Sequence, residues 1–216
     1  MADSENSRTL PAITCRNPLQ TAEWFLSQNF SEQERWAPGI RDAALVKWNA
    51  WRLAFRELVR LGREQQELEN RLMSLAPVPQ VEVRLSGTIT PFVASSAREI
   101  QERLKGDAFA SARASAEAEL LARRRRWEAM DETVGYSRAK DAEFEASLIE
   151  ESLAAGLSQA PAMTTVAVAA KLHCILERGP PRADSDEFPW PQVRSLLIDI
   201  LAMNGVFSME ASRPAS

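Results

Sequence analysis

The sequence is poor in the residues that usually carry chemistry or cross-links. Its 216 residues hold one histidine, two cysteines, one tyrosine and eight glycines. Two cysteines, Cys15 and Cys174, build no disulfide framework. With no apolar leader near the N-terminus, they point to free thiols in a reducing, cytoplasmic compartment. The lone histidine, His173, makes no zinc cluster with its neighbour Cys174, because adjacent helical positions diverge by about 100°. On a helical wheel His173 falls at the edge of an apolar stripe and Cys174 on the far side, which predicts a boundary histidine. The few glycines form no phosphate-cradling loop, and neither G-x-S-x-G nor C-x-x-C occurs. No run approaches the roughly 18 consecutive apolar residues of a membrane span. These absences predict a soluble protein without membrane contact, cofactor, metal centre or enzymatic activity.

A basic segment is missing as well. The formal net charge is -4. Residues 1–95 carry 11 positive and 11 negative groups, residues 96–160 carry 10 and 13, and residues 161–216 carry 5 and 6. A domain that lives on nucleic acid is normally basic. The acids do not converge either. Glu150-Glu151 and Asp131-Glu132 are adjacent and diverge around a helix. Asp184, Asp186 and Glu187 alternate in a loop that lacks the glycine and distant glutamate of a calcium loop.

What is present is helical pattern. Residues 1–17 are polar and predicted to be disordered, and a short helix is expected over about 19–28, followed by a connector, SEQERWAPG. Over about 41–75, Trp48, Trp51, Phe55 and Leu58 recur at spacings of three and four, an apolar stripe suited to a core. Pro77 and Pro79 end that helix. Residues 77–93 alternate Val81, Val83 and Leu85 with polar residues, which predicts an extended connector or a small hairpin turning at Ser86-Gly87. Ser96 and Glu99 form a capping box at the start of a second pattern that reaches about Ala155, interrupted only by Gly106 and Gly135. Unbroken, it would run about 90 Å at 1.5 Å per residue, so it either bends at a glycine or pairs with a second copy of the chain. Its seam is Leu120, Trp127, Val134 and Leu148, seven or fourteen residues apart, with Met130 and Phe144 between and Asp141 weakening it.

A helix over about 165–178, capped by Thr164 or Thr165 and stopped at Gly179, presents Val168, Leu172, Ile175 and Leu176. A last helix over about 190–203 presents Trp190, Val193, Leu196, Leu197, Ile200 and Leu201 before Gly205. The fold class expected is therefore mainly α: an elongated helical hairpin or coiled-coil-like bundle over 18–135, then a small C-terminal helical unit over 136–204 and a frayed tail over 205–216.

PAMTTVAVAAKLHCIL followed by EFPWPQVRSLLIDI resembles the C-terminal segment of uncharacterised small helical proteins of alphaproteobacteria, the rhizobial type especially. The likeness covers roughly the last third of the chain, and VAVA at 166–169 stands where the motif usually holds a glycine. The resemblance brings no established activity with it and implies a bacterial, mainly helical, cytoplasmic protein carried on mobile DNA.

The most conspicuous charge feature is Arg123, Arg124, Arg125 and Arg126, just before Trp127. Four consecutive residues point all around a helix, so they form no single basic face. Arg123 and Arg124 fall one turn before Trp127 and are predicted to lay their stems along its indole. Glu119 and Glu128 are spaced to pair with Arg123 and Arg124, and Arg126 has no such acid. The run reads as a solvated ring, as a contact for nucleic acid or phosphate, or as a contact for an acidic protein. For the whole chain, the expected function is a non-enzymatic helical scaffold or adaptor that self-associates or binds a partner helix. The alternative is an accessory DNA-binding or regulatory protein of a bacterial mobile element, which the acidic charge disfavours.

Overall fold

The computed structural model describes residues 17–36, 42–84, 91–179 and 185–206. Among them are seven α-helices: α1 (Pro18–Trp36), α2 (Ala43–Leu75), α3 (Ala97–Arg103), α4 (Ala110–Val134), α5 (Tyr136–Gln159), α6 (Thr165–Arg178) and α7 (Trp190–Met203). Strands β1 (Val81–Val83) and β2 (Phe92–Ala94) form one antiparallel pair. The chain is mainly helical, as its periodicity requires. Residues 1–16, the Ser86-Gly87 turn, Asp184 and most of the predicted tail lie outside the described residues.

The chain divides into two compact units, one of residues 1–54 with 150–216, the other of residues 55–149. The sequence reading set its division near residue 135. Helix spacing along the sequence does not reveal that the N-terminal segment returns to pack with the C-terminal helices.

In the first unit, α1 packs against α6 and α7, and α6 against α7. Helix α1 opens where Asn17 Oδ1 accepts from the backbone N–H groups of Leu19 and Gln20. It is longer than the predicted 19–28 and absorbs most of the predicted connector, because no helix breaker occurs before Pro38. Asp42 joins two helix starts. Its Oδ1 accepts from Ala44 N at 3.0 Å, and its Oδ2 accepts from the hydroxyl of Thr164 at 2.9 Å. Thr164 in turn caps α6 through the N–H of Ala167. The core here holds Trp48, Trp51, Leu26, Leu45, Leu157, Leu176, Leu197 and Leu201, all fully buried. Leu172, Val193 and Ile200 are half-buried. Ile175 is a correction: it is 48% exposed. The buried side of α6 is instead Ala167, Ala169, Ala170, His173, Cys174 and Leu176. Small residues let neighbouring helices approach, so the bulkiest stripe is not the innermost one.

In the second unit, the hairpin pairs Val81 with Ala94 and Val83 with Phe92. Its inner face meets Ile100 and Leu104 around α3 and Ala116 and Leu120 of α4 in one aliphatic cluster. The Ser96 hydroxyl accepts from Glu99 N–H at the start of α3, and the Glu99 carboxylate accepts from the N–H of Ser95, one residue earlier than a simple capping box predicts. The long second pattern breaks at both glycines, Gly106 with φ +88° and Gly135 with φ +86°, backbone that other residues rarely adopt. At the second break Asp131 Oδ1 accepts from Ser137 N at 2.9 Å, so the end of α4 helps start α5. Of the predicted seam, Leu120 is buried and Trp127 and Val134 are half-buried. Phe55 and Leu58 are also half-buried. Leu148 is a second correction: it is 51% exposed. The Gly135 turn resets the helical phase between Val134 and Leu148, so a heptad spacing read across it has no single face behind it.

Candidate functional site

A buried polar network lies at the centre of the first unit. Trp48 Nε1 donates to His173 Nδ1 at 3.3 Å, and Trp51 Nε1 donates to Glu150 Oε1 at 2.5 Å. Both indoles meet the imidazole edge to face, with centroids 5.8 and 5.9 Å away. Arg178 Nε stands 2.9 Å from Glu150 Oε1, which compensates a carboxylate that is only 4% exposed. Arg52 lies over the Trp48 ring at 5.2 Å and bonds Glu23, Ser27 and Asn49.

Trp48 fixes the histidine's tautomer. Because Nδ1 accepts, the neutral ring carries its proton on Nε2, which has no hydrogen-bond partner and stands 3.8 Å from Glu177 Oε1. Burial lowers the His173 pKa to about 4, partly opposed by the nearby charge of Glu23. Burial also lifts the Cys174 thiol to about 12 and holds Glu177 above the usual carboxylate range, with Glu23 adding to the latter. The imidazole is thus neutral and the thiol protonated at pH 7, and neither is poised as a nucleophile. Among the described residues no group of three His, Cys, Asp or Glu could hold a metal ion.

The network departs from the sequence reading in two ways. His173 and Cys174, placed at the edge and on the far side of the α6 stripe, are both buried. Glu150, read as half of an adjacent pair that does not converge on a site, is the acceptor at the centre. The signal for it was Trp51, since a buried indole N–H needs a partner.

Beside this network runs an open groove of about 630 Å3 in the same unit. One wall is the face of α5 bearing Glu151, Ala154, Ala155 and Ser158. The other is the face of α6 bearing Lys171, Cys174, Ile175 and Arg178. Both sets follow i, i+3, i+4, i+7, so each is one helical face. The α5 wall is low because its residues are small. Lys171 Nζ donates to the Ser158 carbonyl at 2.9 Å and Arg178 reaches Glu150, which ties the walls together at two points. Trp190 completes the lining next to Gly179, where an added Cβ would fall 2.1 Å from the indole Cη2. Gly179 has φ -90°, so its role is this close approach and not a left-handed turn.

The second unit presents a different surface. Phe144, Leu148 and Ile149 on α5 are 60%, 51% and 58% exposed. Three large apolar side chains within six residues of one helix form a patch, beyond the scattered exposure normal for a surface.

The arginine run sits elsewhere in that unit and is divided in use. Arg123 donates to the carbonyl of Gln80 and pairs with Glu119, and Arg124 donates to the carbonyl of Ser95 at 2.8 Å. Gln80 and Ser95 flank the paired residues Val81 and Ala94, so the two guanidinium groups hold the open end of the hairpin. The predicted Arg123–Glu119 pair forms. Arg124 bonds the hairpin in place of Glu128, and the expected stacking on Trp127 gives way to these carbonyl contacts. Arg125 and Arg126 are exposed and have no partner among the described residues.

Among the described residues no helix is long and apolar enough to cross a membrane. In comparisons with protein-family models, curated proteins and solved structures, the chain matches none of them.

Proposed function

We propose that this protein is a non-enzymatic helical scaffold that self-associates through the exposed apolar face of α5. The observation that carries the reading is the cluster Phe144, Leu148 and Ile149, each more than half exposed. Leaving such side chains in water forgoes about 25 cal/mol for each Å2 of apolar surface that a partner would cover. The titrating groups of the buried network support the same reading. A protonated thiol and a neutral, tryptophan-bonded imidazole serve packing better than catalysis. The nucleic-acid alternative rests on the arginine run, and two of those four arginines are engaged with the hairpin.

Light scattering after size exclusion tests the reading. The expected result is a dimer or larger assembly that Phe144→Glu with Leu148→Glu converts to monomer. A wild-type chain that stays monomeric at high micromolar concentration overturns it.

A further inference from the structure

The self-association reading names one surface, and a surface needs a receptor. We propose, resting on that reading, that the Phe144, Leu148 and Ile149 face of one copy seats in the α5–α6 groove of a second copy.

Shape supports the match. The exposed element is an aromatic and two aliphatic side chains on one helix, while the groove is a hollow of about 630 Å3 whose apolar lining includes Ala154, Ala155, Leu157, Cys174 and Ile175. Ligand-sized hollows of about 300–1,000 Å3 accept groups of this bulk. An amphipathic helix laid into an apolar groove is a recurring mode of recognition. The groove's own apolar wall residue, Ile175, is 48% exposed and gains cover from the same contact.

Charge supports it as well. Glu145 stands three and four residues before Leu148 and Ile149, on the arc they share, and has no ion pair among the described residues. Across the groove stand Lys171, which bonds only the Ser158 carbonyl, and Arg178, whose acid partner is the buried Glu150. An apolar face that carries an acid thus meets a groove whose α6 wall is cationic and whose α5 wall bears one acid, Glu151, and pairing across the α6 wall fixes partner and register. Two apolar faces meeting directly would set Glu145 of one copy near that of the other.

The test uses two full-length variants, one disabled in the face (Phe144→Glu with Leu148→Glu), the other in the groove (Ile175→Glu). All three positions are exposed, so each variant is expected to keep the wild-type circular dichroism. Ala155→Arg, which fills the groove from an exposed position of the other wall, serves as a second groove variant. Each variant alone is expected to be monomeric in light scattering. Mixed, the intact groove of the first accepts the intact face of the second, and a 1:1 complex returns. Lys171→Glu is expected to weaken wild-type association, and Glu145→Lys in a partner copy to recover it. If both groove variants associate like the wild type, or if the mixture stays monomeric while the face variant alone has lost association, the groove is not the receptor and the self-association reading stands. A monomeric wild type removes both.

Discussion

Around Trp48 and Trp51 the first unit is built from large rings whose N–H groups end on buried acceptors, His173 and Glu150. The fully formed cluster in the second unit is aliphatic: Val81, Val83, Ala94, Ile100, Leu104, Ala116 and Leu120. Its polar fastening comes from outside, where Arg123 and Arg124 reach backbone carbonyls at the surface. The contrast has a thermodynamic meaning. A core of indoles carries buried donors, and its acceptors must be in the right protonation state. An aliphatic core has no such condition attached, so acidity and polar substitutions should separate the two units.

The largest effect expected is from Trp48→Ala, which removes a fully buried ring and its bond to His173. It should destabilise the first unit by about 3–5 kcal/mol. Amide hydrogen exchange is the measurement: protection should fall in α1, α6 and α7 and persist in β1, β2 and α3. Equal loss in both sets would mean that the two cores melt as one.

Acid should act in the same direction through one proton. The folded His173 pKa of about 4 lies below the 6.5 of the free side chain, so between these values the unfolded chain binds a proton that the fold refuses. Stability is complete above pH 6.5 and declines as pH falls toward 4, by at most about 3 kcal/mol. Glu177 opposes this near its own raised pKa, since the fold holds its proton longer than the unfolded chain does. Denaturation midpoints followed by tryptophan fluorescence should therefore show an acid slope that His173→Gln flattens. An unchanged slope in that variant would shift the effect to the carboxylates.

A smaller disturbance is expected from Gly179→Ala. The new Cβ would meet Trp190 Cη2 at 2.1 Å and the Ile175 carbonyl at 2.8 Å, and the indole must move. Overpacking of this kind costs about 1–3 kcal/mol. The midpoint of the first unit should drop and that of the second should not.

The smallest effects divide the arginine run. Arg123→Gln or Arg124→Gln should lower the stability of the second unit by about 1 kcal/mol each, because the bonds to Gln80 and Ser95 are charge-assisted but exposed. Arg125→Gln and Arg126→Gln should stay within about 0.5 kcal/mol. Four equal effects in thermal unfolding would deny the hairpin contacts any special part.

The sequence carries the local rules of this fold well. Ser96 and Thr164 cap helices where their spacing predicts, and Trp48 and Trp51 are core because no surface suits two adjacent-face indoles. What it hides depends on partners far along the chain. Glu150 looks like any surface acid until Trp51 is placed against it, 99 residues away. Alanines of α6 look neutral until a neighbouring helix approaches, and only then does Ile175 turn outward. The candidate site was half legible. Leu148 was read as a seam residue and is exposed. The groove that faces Lys171 and Ile175 had no signature, since a hollow is made by what small residues omit.

The two arginine-held carbonyls bear on how the protein behaves before and after folding. A two-stranded ribbon has no inner strand, and both of its margins offer unpaired backbone to any passing chain. Guanidinium groups stationed at the open end, with two further exposed cations beside them, make that ribbon a poor template for growth into a larger sheet. On this view Arg123 and Arg124 close off the end of the one stretch of β-structure among the described residues.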